Sequence, residues 1–185
     1  MSRRKDRKRR RDGWVSSTPR PENPPHPAVL ALSEKHGPPP IDLRQAELLD
    51  GFGYNKGEYA KRPIAHNMPW HVSREDLDYY RSVFAFMCDE PGSLLFYLYP
   101  VALEFERDPT LEASDGFLYC LDMSYEELRP LLREAEDAAA FAEGLNWILN
   151  VRGPDWAPFY QCPNLIPLLT GEHAEQVRLQ AQRWR

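Results

Sequence analysis

The densest apolar and aromatic stretch of the chain, residues 84–105, constrains the fold more than any other feature. Its most apolar run, Leu94 to Leu103, is about half as long as a helix that crosses a bilayer. Pro91-Gly92 divides the stretch, and this dipeptide is typical of a turn. We therefore expect two buried helices joined at Pro91-Gly92, with the rest of the domain packed around them. A second break is expected at Pro100, because an interior proline costs roughly 3 kcal/mol in a helix.

The composition is that of a folded globular protein. The 185 residues suffice for one domain with a hydrophobic core, and 42% of them are hydrophobic and 12% aromatic. The cysteines, Cys88, Cys120 and Cys162, are odd in number and show no CxxC spacing, which favours reduced, packed thiols over a disulfide framework. Residues 13–19 are too polar to serve as a secretory signal, and no stretch reads as a membrane span. These features predict a cytoplasmic protein, or a nuclear one if the source is eukaryotic or viral.

The charge is divided sharply along the chain. Residues 1–12 hold eight Lys/Arg and two Asp, a net charge of +6, whereas the remainder holds fifteen Lys/Arg and twenty-six Asp/Glu, a net charge of −11. A block of like charge repels itself, so residues 1–18 are expected to be a disordered tail. Such a tail can bind nucleic acid or another polyanion without a fold and with little sequence preference. The candidate nucleic-acid-binding residues are Arg3, Arg4, Lys5, Arg7, Lys8, Arg9, Arg10 and Arg11.

Prolines separate this tail from the rest of the chain. Residues 19–40 hold eight of the eighteen prolines, which restrict φ and remove donors, so an extended linker is expected there. The globular domain is expected over residues 41–185. It should be a single, compact and mainly α-helical domain, with one short strand pairing left open.

Capping patterns predict where several helices begin. Asp42 is placed to cap a short helix that ends near Gly51, and Ser73 stands three residues before Asp76 in a variant of the capping box. Ser124 opens a full capping box, which predicts the start of the longest helix, ending at Gly153-Pro154.

One apolar run is interpreted differently from the helices. Phe117 to Leu121 reads as a strand between turns, although no partner strand is evident.

Catalytic signatures are lacking in the sequence. Pro69 lies between His66 and His71, so these histidines cannot share a helix face as zinc-binding histidines do, and we predict no metal and no cofactor. A nucleophile formed by one of the cysteines with a distant histidine stays open, although packed thiols are commoner.

The leading hypothesis is therefore a non-catalytic binding or adaptor protein, in which the acidic domain binds a protein partner and the tail binds nucleic acid or an acidic partner. Proline-rich loops present aromatic side chains rigidly, so the candidate protein-binding residues are Trp156, Phe159 and Tyr160. The alternative is a small hydrolase-type enzyme with a site assembled from distant residues.

Overall fold

Helices and turns form the regular structure in the part of the chain that the computed structural model describes, residues 19–52, 66–153 and 160–183. The mainly α-helical prediction is confirmed. The α-helices are α1 (Pro27–Lys35), α2 (Leu43–Phe52), α3 (Arg74–Tyr79), α4 (Pro91–Arg107), α5 (Ala113–Met123), α6 (Tyr125–Leu128), α7 (Ala135–Arg152) and α8 (Gly171–Arg183). Short 3₁₀ segments lie at Pro69–His71, Val83–Met87, Arg129–Leu132 and Ile166–Leu168.

Helix α4 is the centre of the fold. It is 17 residues long, and all its side chains from Ser93 to Ala102 are buried. Pro91 occupies the first turn, where a missing N–H costs nothing because that group has no partner inside the helix. Helices α1, α5 and α7 all pack directly on α4.

The expected break at Pro100 is wrong, because α4 continues through it. A serine from α1 explains how the proline is accommodated. Ser33 Oγ donates to the Leu95 carbonyl at 2.9 Å and accepts from the Tyr99 N–H at 3.1 Å. In a regular helix these two backbone groups would bond to each other. The Ser33 hydroxyl is inserted between them and replaces that bond, one residue before the proline.

Helix α1 also corrects the expectation of an extended linker over residues 19–40. Pro27 stands at its first helical position, and Val29, Leu30 and Leu32 are completely or almost completely buried. Prolines flank this helix without interrupting it, so the apolar run between them was free to fold and pack on α4. The folded body therefore includes residues before Ile41.

Helix α7 approaches α4 closely at Gly144. A Cβ atom added there would lie 2.8 Å from Leu98 Cδ2 and 3.0 Å from Leu98 Cγ. Leu98 is fully buried and cannot move into solvent. The glycine thus sets the distance between the two longest helices of the described structure.

The strand expected at Phe117–Leu121 is wrong, because these residues belong to α5. Phe117 and Leu121 face the core, whereas Tyr119 and Met123 are 53% and 61% exposed. This spacing of four is helical. A short apolar run without a pairing partner does not distinguish a strand from a helix, and here α5 buries its apolar side on α4.

The capping boxes had different outcomes. The box at Ser73 is confirmed: its side chain accepts from the Asp76 N–H, and the Asp76 side chain accepts from the Ser73 N–H. The box at Ser124 is wrong, since no side-chain cap forms there and only the four-residue helix α6 follows. Pro130 has no N–H to continue the helical ladder, and the long helix begins afresh at Ala135.

Asp42 caps α2 as expected. Its Oδ1 accepts from the Gln45 N–H at 2.8 Å, and Gln45 Oε1 accepts from the Asp42 N–H at 2.9 Å. The last helix, α8, has a largely polar surface.

Candidate functional site

A buried polar cluster joins three parts of the chain around His66. The ring is only 4% exposed, with Nδ1 3.3 Å from Tyr97 Oη and Nε2 3.3 Å from Asp76 Oδ2. Tyr97 lies on α4, and its hydroxyl also accepts from the Leu43 N–H at 3.0 Å. The cluster therefore connects the start of α2, the start of α3 and the middle of α4.

Asp76 carries a negative charge in this cluster. Burial acts to raise the pKa of this carboxyl, but hydrogen bonds from His66 and Ser73 outweigh burial and lower the pKa to about 2. Burial raises the pKa of Tyr97 well above its usual value, so the phenol stays protonated. Both ring nitrogens of His66 already have neighbours within the protein. The cluster thus serves to hold the fold together, and we assign it no chemistry.

A second cluster brings the three thiols together. The Cys88 thiol and burial raise the pKa of the Cys120 thiol, and Cys162 acts in the same direction. Cys162 Sγ is 3.8 Å from the Leu118 carbonyl, to which it can donate. Burial raises the pKa of Cys162 to about 12. Cys88 is half-buried, whereas the other two thiols are almost fully buried.

The proximity of Cys88 and Cys120 was not predicted from the sequence, although a signal was present. Phe84 precedes Cys88 by four residues, and Phe117 precedes Cys120 by three. The two phenylalanine rings pack with their centroids 5.0 Å apart. Once 113–123 is known to be a helix, that ring pair places the two thiols together one turn further along both segments.

Most predicted binding residues lie outside the described structure. These are the eight basic residues of the tail, Arg3 to Arg11, together with Trp156 and Phe159. Tyr160 is described; it is half-buried and packs against the hydrophobic core. Only part of its side chain is therefore accessible to a binding partner.

The described body neutralises much of its own positive charge. Arg20 donates to both carboxylate oxygens of Glu34, at 2.7 Å and 3.1 Å. Six further cationic side chains lie within ion-pair distance of a carboxylate: Lys35, Arg74, Arg81, Arg107, Arg129 and Arg178. Seven of the eleven Lys/Arg side chains in the described ranges are thus paired with a carboxylate.

Among residues 19–52, 66–153 and 160–183, no three His, Cys, Asp or Glu side chains are grouped so that they could hold a metal ion. In these ranges, no helix combines the length and hydropathy that spanning a bilayer requires. Comparison with known proteins finds no matching family model, and no significant match among curated proteins or solved structures.

Proposed function

We propose that the protein is a non-catalytic binding or adaptor protein, whose basic tail binds nucleic acid or another polyanion and whose acidic helical body binds a protein partner. The distribution of charge carries the proposal. Eight of the 23 Lys/Arg residues lie within residues 3–11, while seven cations of the described body are paired with carboxylates. Affinity for a polyanion depends on cations that can replace its counterions, and the tail has the highest density of them in the sequence.

We expect this tail to have a short reach. Arg20 is bonded to Glu34 of α1, so the chain is attached to the body at residue 20. Residues 12–19 are the only spacer between the basic block and that attachment, and eight residues extend at most about 29 Å. The tail therefore works within a few Debye lengths of the acidic body. A polyanion must compete with the body for the tail, which favours weak binding.

For the protein partner, we retain Trp156, Phe159 and Tyr160 as the candidate contact residues. The body has a net charge of −11 outside residues 1–12, so a partner with a basic surface would be attracted to it. A protein with reduced thiols and this charge distribution fits the cytoplasm, or the nucleus of a eukaryotic source.

Two variants with the same change in net charge test the proposal. In the first, Arg9, Arg10 and Arg11 are replaced by Gln; in the second, the ion-paired Arg81, Arg129 and Arg178 are replaced by Gln. Binding to fluorescein-labelled RNA and DNA is measured by anisotropy at several salt concentrations. The intact protein should bind both without sequence preference, and log K should fall linearly with log salt concentration.

The tail variant should lose affinity and show a salt slope shallower by about 2 to 3, because each phosphate contact contributes about 0.7 to 0.9. The body variant should bind as the intact protein does. If both variants lose affinity equally, net charge rather than the tail governs binding. If the intact protein binds neither nucleic acid at low salt, the nucleic-acid part of the proposal is wrong.

A further inference from the structure

The segment before α4 and helix α5 run side by side in register. A Cβ atom at Gly116 would lie 3.5 Å from the Arg81 carbonyl, and the rings of Phe84 and Phe117 are in contact. Further along, the Cys120 thiol is near enough to that of Cys88 for each to shift the pKa of the other. The two segments thus advance in the same direction and bring the two thiols together at their far end.

Ser124, one turn after Cys120, connects α5 to the segment that contains Cys88. Its Oγ donates to the Cys88 carbonyl at 3.3 Å. The backbone of Cys88 is therefore held in place against α5.

The two sulfur atoms differ in access and in ionisation. Cys88 is half-buried, whereas Cys120 is 3% exposed. The Cys120 thiol lowers the pKa of Cys88 below its usual value, and the Ser124 hydroxyl acts in the same direction. Partial burial and the nearby Asp89 and Glu127 carboxylates oppose the shift. A thiolate, rather than a thiol, is the nucleophile in sulfur chemistry.

We propose that Cys88 and Cys120 form a redox-active pair, in which a hydroperoxide oxidises Cys88 and Cys120 then closes a disulfide with it. In the first step, the Cys88 thiolate attacks one peroxide oxygen, the O–O bond breaks, and the hydroxide or alkoxide that leaves takes up a proton. Cys88 becomes a sulfenic acid. In the second step, the Cys120 sulfur attacks the Cys88 sulfur, the S–O bond breaks, and the oxygen leaves as water. The two thiols together give two electrons to the peroxide.

The fold favours this pair over other pairings. Ser124, one turn after Cys120, donates from Oγ to the Cys88 carbonyl at 3.3 Å and from its N–H to the Cys120 carbonyl at 3.0 Å, so the fold already holds the two cysteines side by side. Cys162 sits beside the Leu118 carbonyl, and burial raises its pKa. It is therefore the matched control, a thiol in the same cluster that should not take part.

The test uses the full chain, reduced, freed of reductant and treated with hydrogen peroxide. Intact mass and peptide mapping under non-reducing conditions should show the loss of two hydrogens and a Cys88–Cys120 crosslink in the monomer. In the C120S variant, a dimedone adduct should accumulate on Cys88, because the sulfenic acid has no partner. In C88S the rate of peroxide oxidation should fall by at least about tenfold. C162S should behave as the intact protein does.

A second measurement does not depend on how the variants fold. In the untreated native protein, brief alkylation with iodoacetamide should modify Cys88 well before Cys120 and Cys162. The proposal is overturned if the intact protein keeps three free thiols under peroxide, if mapping finds Cys162 in the disulfide, or if the crosslink forms only between chains. Equal alkylation of all three cysteines in the folded protein would also contradict it.

Discussion

Asp76 keeps its charge in a largely buried position, and this makes the fold sensitive to acid. Its pKa is about 2 in the folded protein, against about 3.9 in an unfolded chain. The folded state thus binds fewer protons, so the carboxylate stabilises the fold above about pH 4, and its contribution is lost as the pH falls towards 2. A difference of about two units corresponds to about 2 to 3 kcal/mol of unfolding free energy.

We therefore expect Asp76→Asn to reduce the free energy of unfolding at pH 7, and the gap between the two proteins to close below pH 4. Urea unfolding at a series of pH values measures this. Asp78→Asn on the same helix is the control, because Asp78 is half-exposed and should show no such closing. If the difference in unfolding free energy between the intact protein and Asp76→Asn is the same at pH 7 and near pH 2, the lowered pKa of Asp76 is wrong.

Ser33 affects stability through a single hydroxyl group. Replacing it by Ala leaves the Leu95 carbonyl and the Tyr99 N–H without a partner inside the core, which should cost about 1 to 3 kcal/mol. In a Pro100→Ala background, α4 can straighten and these two groups can bond to each other. The cost of Ser33→Ala should then shrink by at least about 0.5 kcal/mol.

Urea unfolding of the four proteins in this cycle gives the coupling energy. Ser93→Ala is the matched control, since Ser93 is equally buried and accepts from the Ile41 N–H. Its cost should not depend on residue 100. Additive costs for Ser33 and Pro100 would show that the hydroxyl and the proline act independently.

At the scale of the helix, local signals predicted the structure where local interactions decide it. Asp42 and Ser73 cap their helices because each finds a partner three residues further on. Ser124 has the same spacing to Glu127, but its hydroxyl hydrogen-bonds to Cys88 instead. A contact across 36 residues replaced the local one. A four-residue capping pattern contains no information about such a distant contact.

Two other elements show the same limit. Pro100 destabilises α4 less than it would an isolated helix. The Ser33 hydroxyl bonds to the Leu95 carbonyl and the Tyr99 N–H, which do not bond to each other next to the proline. The run from Phe117 to Leu121 lacks charged residues, and the helical spacing of its apolar residues is visible only when Ala113 and Met123 are included. The burial of the apolar core and the helical class follow from composition and spacing. The proximity of the two thiols could be predicted only once residues 113–123 were known to form a helix and Phe84 was known to pack on Phe117.

At the scale of the whole molecule, the folded unit begins earlier than the proline content indicates. Val29, Leu30 and Leu32 each contribute about 1.5 to 3 kcal/mol by burial, which together is comparable with a typical total stability of 5–15 kcal/mol. A chain that starts at Ile41 should therefore lose its cooperative thermal transition. A chain that lacks residues 1–12 should melt at the same temperature as the full protein. Circular dichroism on heating distinguishes them, and a cooperative transition in both would contradict the role of α1.

Helix α1 leaves the ribosome long before its partner exists. The groups that Ser33 bonds lie 62 and 66 residues further along the chain. At synthesis rates of 5–20 residues per second, roughly 3 to 13 s pass before Tyr99 has been made. Once α1 has left the ribosome, its apolar face is open to chaperones and to other nascent chains until α4 follows it. Synonymous codons that slow translation between these positions would lengthen the exposure without altering a single residue of the finished protein.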